Sequence, residues 1–180
     1  MKKRSVTMYN LVVPTFIILW PPVWFFLAAI DGLLGGALLL VMLLGNLAVD
    51  WLVTALAMRC QKVPQVKKQS LAVLVPVWLS GFAADFLGSL LLFIVMVIEN
   101  EWINDNISNY FFNSIYESPY ALATVLLDIL FVGLLIYRFN MNWSLRLADL
   151  TDQQRKRTAL TLAILTAPYL FLLPTQWFYN

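Results

Sequence analysis

The chain has 180 residues, 61% hydrophobic and 12% charged, against about 45–50% apolar and about 25% charged in ordinary soluble domains. A composition this apolar and a net charge of only +2 exclude a water-soluble globule and a basic nucleic-acid-binding face, which needs a soluble surface to carry it. The absence of histidine and the single cysteine further exclude His-based zinc motifs, Ser–His and Cys–His nucleophile pairs and an internal disulfide framework.

Apolar runs long enough to cross a hydrocarbon core of about 30 Å as helix recur along the chain, and runs this continuous are not barrel strands, which alternate. They predict an all-α, polytopic transmembrane bundle in one domain (1–180) with five spans: Leu11–Ile30, Leu33–Met58, Leu71–Ile98, Tyr120–Tyr137 and Ala159–Phe178. The first span follows "KKR" as a signal peptide would, but it is too long and lacks a clear small-x-small cleavage site, so it is expected to stay attached. At its middle, "LWPPVW" places Pro21 and Pro22, which remove N–H groups and predict a helix break; the alternative is a simple kink. Broken helices expose carbonyl oxygens that in transporters join carboxylates around cations.

The second span carries Asp50, with Asn46 and Thr54 one turn to either side on the same face. A basic loop, 59–70, follows; its Cys60 reads as an ordinary free thiol. The third span holds "GFAADFLGS", in which Gly81, Asp85 and Gly88 share one side and the glycines allow another backbone to approach. In the segment 99–118, Trp102, Ile103, Ile107, Tyr110, Phe111 and Ile115 recur at three- and four-residue steps. That pattern predicts an interfacial amphipathic helix, either an aromatic anchor or a lid over a vestibule. Ser118-Pro119, an N-cap followed by proline at the first helical position, starts the fourth helix, in which Thr124 and Asp128 share a face. A second basic segment, 138–157, contains "TDQQ", a capping box that starts the fifth helix ahead of its membrane portion. Pro168 marks a further break near the middle of that span.

All 12 Lys and Arg residues fall in Lys2–Arg4, Arg59–Lys68 and Arg138–Arg157, at alternate ends of the spans, while Asp31, Glu99, Glu101, Asp105 and Glu117 mark the opposite side. The positive-inside rule then predicts a cytoplasmic N-terminus, an extracytoplasmic C-terminus and basic loops facing anionic headgroups. A multi-pass protein of a bacterial cytoplasmic membrane is the expectation.

Asp85 and Asp128 fall near the midpoints of their spans, and Asp50 about 7 Å nearer the basic side at 1.5 Å per residue. A charged aspartate at a helix centre costs roughly 2.5–3.5 kcal/mol on insertion scales. No Lys, Arg or His lies within the spans to offset it, so the acids are protonated, hydrated or paired with something from outside the chain. An aspartyl hydrolase is disfavoured because the Gly-x-Gly-Asp signature and its Tyr-Asp partner are missing; the spaced aspartates of headgroup transferases and a Gly-rich phosphate loop are missing too. No catalytic residue is assigned, no cofactor is expected, and the identity of any metal is open.

The stretch "VWLSGFAADFLGSLLLF" (Val77–Phe93), with "PPVWFF" (Pro21–Phe26), resembles segments of uncharacterised small polytopic membrane proteins of Gram-positive bacteria. The Gly81-x-x-x-Asp85 pattern is also similar to a helix of rod-shape-determining membrane proteins and of vitamin-transporter substrate-binding subunits. These resemblances imply bacterial origin and one compact helical domain. Two functions remain in view. One is a transport protein or transporter subunit binding a proton or cation at Asp50, Asp85 and Asp128, with Asn46, Thr54 and Thr124 beside them. The other is a scaffold, in a hetero- or homo-oligomer, whose acids pair with a basic residue of another chain.

Overall fold

The computed structural model describes residues 33–111 and 114–173, and every regular element among them is helical. Three helices are long and apolar enough to cross a membrane: α1 (Leu33–Cys60), α3 (Leu74–Val97) and α6 (Pro119–Asn142). The 24 residues of α3 and of α6 extend about 36 Å at 1.5 Å per residue, more than the hydrocarbon thickness. The first expected span, Leu11–Ile30, with Pro21 and Pro22, lies outside the described residues.

The helices form a ring in which α1 packs on α3 and on α7 (Asp152–Leu165), and α6 packs on the same two. Short connections make sequential neighbours antiparallel, so the C-terminal ends of α1 and α6 meet the N-terminal ends of α3 and α7 at one end of the ring. Bonds across that end include Gln61 Nε2 to Thr158 Oγ1 (2.9 Å), Asp149 N–H to Gln69 Oε1 (3.0 Å) and a Ser80–Ser144 hydroxyl pair (2.7 Å). Every described Lys and Arg belongs to this end, and Glu99, Glu101, Asp105 and Glu117 belong to the other.

The residues α6 turns away from its neighbours are leucines at helical spacing: Leu127, Leu130 and Leu134 are 66%, 65% and 64% exposed. Three large aliphatic side chains in one stripe are an aggregation surface in water and an ordinary surface against hydrocarbon.

Local chemistry sets the helix ends. Helix α1 stops in a Schellman motif: Val63 N–H bonds Met58 O (3.1 Å), Lys62 N–H bonds Arg59 O (3.0 Å), and Met58 and Val63 are buried in the same apolar cluster. The motif holds Lys62 in the left-handed region at φ 55°, where a Cβ is unfavourable. Lys62→Gly should therefore raise unfolding stability by about 1 kcal/mol. Thermal melts of the detergent-solubilised protein would measure it, and a lowered midpoint would contradict the account.

The expected third span, Leu71–Ile98, is divided: α2 (Val66–Ala72) ends at Val73 (φ −102°, ψ −1°) and α3 begins at Leu74. Pro76 accounts for the division, because it has no N–H for the carbonyl of Ala72 and its ring crowds that carbonyl. Helix α6 starts where Ser118 and Pro119 predict: Ser118 Oγ accepts from Ala121 N–H (3.3 Å) and donates to Asn106 O. It continues past Tyr137 to Asn142. Helix α7 opens with the full Thr151–Gln154 capping box.

The expected fifth span is interrupted. Helix α7 ends at Leu165, and a short 3-10 turn, Tyr169–Leu172, follows Pro168. Proline cannot donate to the carbonyl of Ile164, and the Tyr169 hydroxyl does so instead at 2.6 Å. Only the portion up to Leu173 is described.

The segment after α3 is helical but irregular: α4 (Glu101–Ile103), a π-helical stretch (Asn104–Ser108) and α5 (Asn109–Phe111), then a 3-10 turn at Ile115–Glu117. Phe111 and Ile115 are buried with Leu92, Val125 and Phe171, so the segment caps the acidic end of the ring. Trp102 stays 54% exposed and meets Tyr120 edge to face at 5.2 Å.

Candidate functional site

Two apolar clusters fill the ring. One, around Met58, Val77, Ile136 and Leu162, occupies the basic half; the other, around Leu92, Val125, Ile129 and Phe171, occupies the acidic half. Asp85 and Asp128 sit at the seam between them, and Asp50, on the third long apolar helix, meets α3 at Gly81, on the basic side of that seam. On α3, Ala84 belongs to the first cluster and Leu92 to the second, with Asp85 and Gly88 between; on α6, Val132 and Ile129 belong to opposite clusters beside Asp128.

Glycine spacing on α3 arranges the neighbouring acids. Gly81 precedes Asp85 by one turn and Gly88 follows by almost one. A Cβ on Gly81 would lie 3.7 Å from Asp50 Oδ2, so the α1 carboxyl rests over Gly81. A Cβ on Gly88 would lie 3.1 Å and 3.5 Å from Oδ2 and Oδ1 of Asp128 and would collide with Cγ2 of Val132, so the α6 carboxyl rests over Gly88. Asp85 stands on α3 between these two contacts.

Asp50 and Asp128 are buried, at 4% and 1% exposure, and Asp85 is half-buried. Both carboxyl oxygens of Asp128, Oδ1 of Asp85 and Oγ1 of the buried Thr54 are enclosed without a hydrogen-bond partner among the described residues. Such atoms cost about 1–3 kcal/mol each when left unsatisfied, which makes them candidates for an exchangeable ligand. No three of His, Cys, Asp and Glu gather around a point fit for a metal ion among the described residues.

The other residues singled out from the sequence divide. Thr54 joins the interior one turn from Asp50, whereas Asn46, one turn the other way, is exposed. Thr124 is half-buried, and its hydroxyl donates to Tyr120 O at 2.8 Å, so its hydrogen is used within its own helix. Helix α7 ends three residues before Pro168, and the Ile164 carbonyl accepts from the Tyr169 hydroxyl.

Several buried polar groups escape the composition-level reading. Ser144 donates to Pro76 O (3.0 Å) and pairs with Ser80, and Asn140 is 1% exposed with Oδ1 unpartnered among the described residues. Trp78 Nε1 is enclosed without a partner among the described residues. Spacing does hold a signal for Asn140, which follows Asp128, Val132 and Ile136 at four-residue steps along one buried face.

The chain matches no protein-family model, no curated protein and no solved structure.

Proposed function

We propose that this is a small integral membrane transport protein, or the membrane subunit of a transporter, that takes up a proton or monovalent cation at Asp50, Asp85 and Asp128. We place it as a multi-pass protein of a bacterial cytoplasmic membrane, with its basic end in the cytoplasm as the distribution of Lys and Arg suggests. The observation that carries the reading is Asp128: a carboxyl 1% exposed, with neither oxygen partnered among the described residues, lying over a second acid-bearing helix, while every described Lys and Arg belongs to the basic end of the ring. Intramembrane acids facing a bundle interior mark ion pathways and proton relays.

A proton fits better than a chelated divalent ion, since it needs one oxygen at a time and the acids do not converge as a metal cage. Two acids lying over glycines on either side of a third give a proton three stations along one face of α3. The scaffold alternative draws less support: Asp50 and Asp128 are enclosed by the chain's own helices, leaving Asp85 as the acid a partner's basic side chain reaches.

The test is Asp85→Asn in proteoliposomes, read as acidification of the lumen after a pH jump and as monodispersity and helicity of the purified variant. Loss of flux with normal assembly supports the proposal. Retained flux overturns it, and retained folding with loss of a co-purifying partner favours the scaffold.

A further inference from the structure

Helices α1 and α7 leave a trench of about 420 Å³ on the outer surface of the ring. Its walls are apolar: Val53 and Leu56 from α1, Leu160 and Leu165 from α7, with the last three 50%, 52% and 59% exposed. Cys60 and Arg157 line it at the basic end, where α1 finishes and α7 begins. No acidic side chain lines the trench among the described residues. Arg157 makes no ion pair among the described residues, whereas Arg155 two positions earlier is paired with Asp152 at 3.3 Å.

We propose that this trench is a binding site for one anionic phospholipid of the basic-side leaflet, with an acyl chain along Val53, Leu56, Leu160 and Leu165 and the headgroup phosphate on Arg157. The proposal rests on the reading that the ring is embedded in a membrane, but not on any role for the aspartates. Three features select this occupant. The trench runs from the apolar middle of the helices to the end that carries every described Lys and Arg, so a lipid entering it keeps its own depth. It offers a cation only at the headgroup end, which is the polarity of a phospholipid and the arrangement by which basic pockets between membrane helices hold anionic headgroups. Its volume of about 420 Å³ suits a chain-like ligand.

The experiment uses the full chain purified in detergent and offered phosphatidylglycerol or phosphatidylcholine with identical acyl chains, with bound lipid counted by native mass spectrometry. The parent protein should retain phosphatidylglycerol over phosphatidylcholine by about fivefold, the effect of one cation beside an anionic lipid. Arg157→Gln should abolish that preference. Lys156→Gln removes the same charge one residue away, outside the trench, and should keep it. Leu160→Trp, which fills the trench, should lower retention of both lipids. Each variant is first checked for an unchanged melting midpoint without added lipid. Equal losses in Arg157→Gln and Lys156→Gln would mean diffuse surface charge and overturn the site. Displacement of phosphatidylglycerol by inorganic phosphate at equal concentration would mean a free-anion site and overturn the lipid assignment. Because flux is not the readout, failure here is distinct from failure of the aspartate proposal.

Discussion

Asp128→Ala should reduce proton flux to the background of protein-free vesicles while leaving the folded state as stable as the parent, or more stable by about 1–3 kcal/mol. The two halves of this result have one cause. A buried carboxyl with both oxygens unpartnered contributes desolvation without a compensating bond, so its removal relieves an unfavourable term. Truncation of a buried side chain usually has the opposite sign, because it leaves a cavity. Here the deleted atoms are polar and lie over Gly88 on the neighbouring helix, so little favourable contact is forfeited. Stability gained while activity is lost is the signature of a group kept for function. Chemical unfolding in micelles and a pH-jump assay in proteoliposomes read the two quantities separately. A variant that loses more than about 1 kcal/mol would show the carboxyl to be structural glue, satisfied by something within the fold.

Gly88→Ala should destabilise the protein by about 1–3 kcal/mol, and Gly81→Ala should not. The same substitution on the same helix is predicted to differ because the space above the two glycines differs. At Gly88 the added methyl would collide with Cγ2 of Val132, a fully buried β-branched side chain whose rotation is restricted within α6, and would press on Oδ2 of Asp128 at 3.1 Å. Either α3 and α6 move apart or Val132 leaves its rotamer. At Gly81 the methyl would meet only Asp50 Oδ2, at an ordinary 3.7 Å, and alanine's higher helix propensity acts unopposed. Melting curves of the two single variants side by side would decide it, and equal midpoints would remove the close approach of α6 to Gly88 from the account. Gly88→Ala should also lower flux, since it displaces the carboxyl lying over that glycine.

The presence of helices long and apolar enough to cross a membrane, the helical nature of the elements and several of their boundaries were legible without coordinates. Their causes are local: hydrocarbon content along a run, Ser118-Pro119 as a helix start, the reciprocal bonds of Thr151 and Gln154. Segregation of Lys and Arg to alternate ends was equally legible and corresponds to one end of the ring. Proline effects were read in part. The break at Pro168 was expected, and α7 stops at Leu165, whereas the division of the third apolar run at Val73 by Pro76 was not, because a lost N–H acts on a carbonyl four residues back and depends on what else can satisfy it.

Three acids and two glycines at helical spacing also stand in the sequence, but not which acid meets which glycine. That pairing, with Asp50 over Gly81 and Asp128 over Gly88, follows from the order in which α1, α3, α6 and α7 close into a ring. The burial of Thr54, the exposure of Asn46 one turn from the same aspartate, and the trench beside Arg157 likewise depend on which neighbour covers each helix face. Residue type determines what solvent a segment tolerates and what its ends bond to. Only helix against helix decides which of its polar atoms are left without a partner.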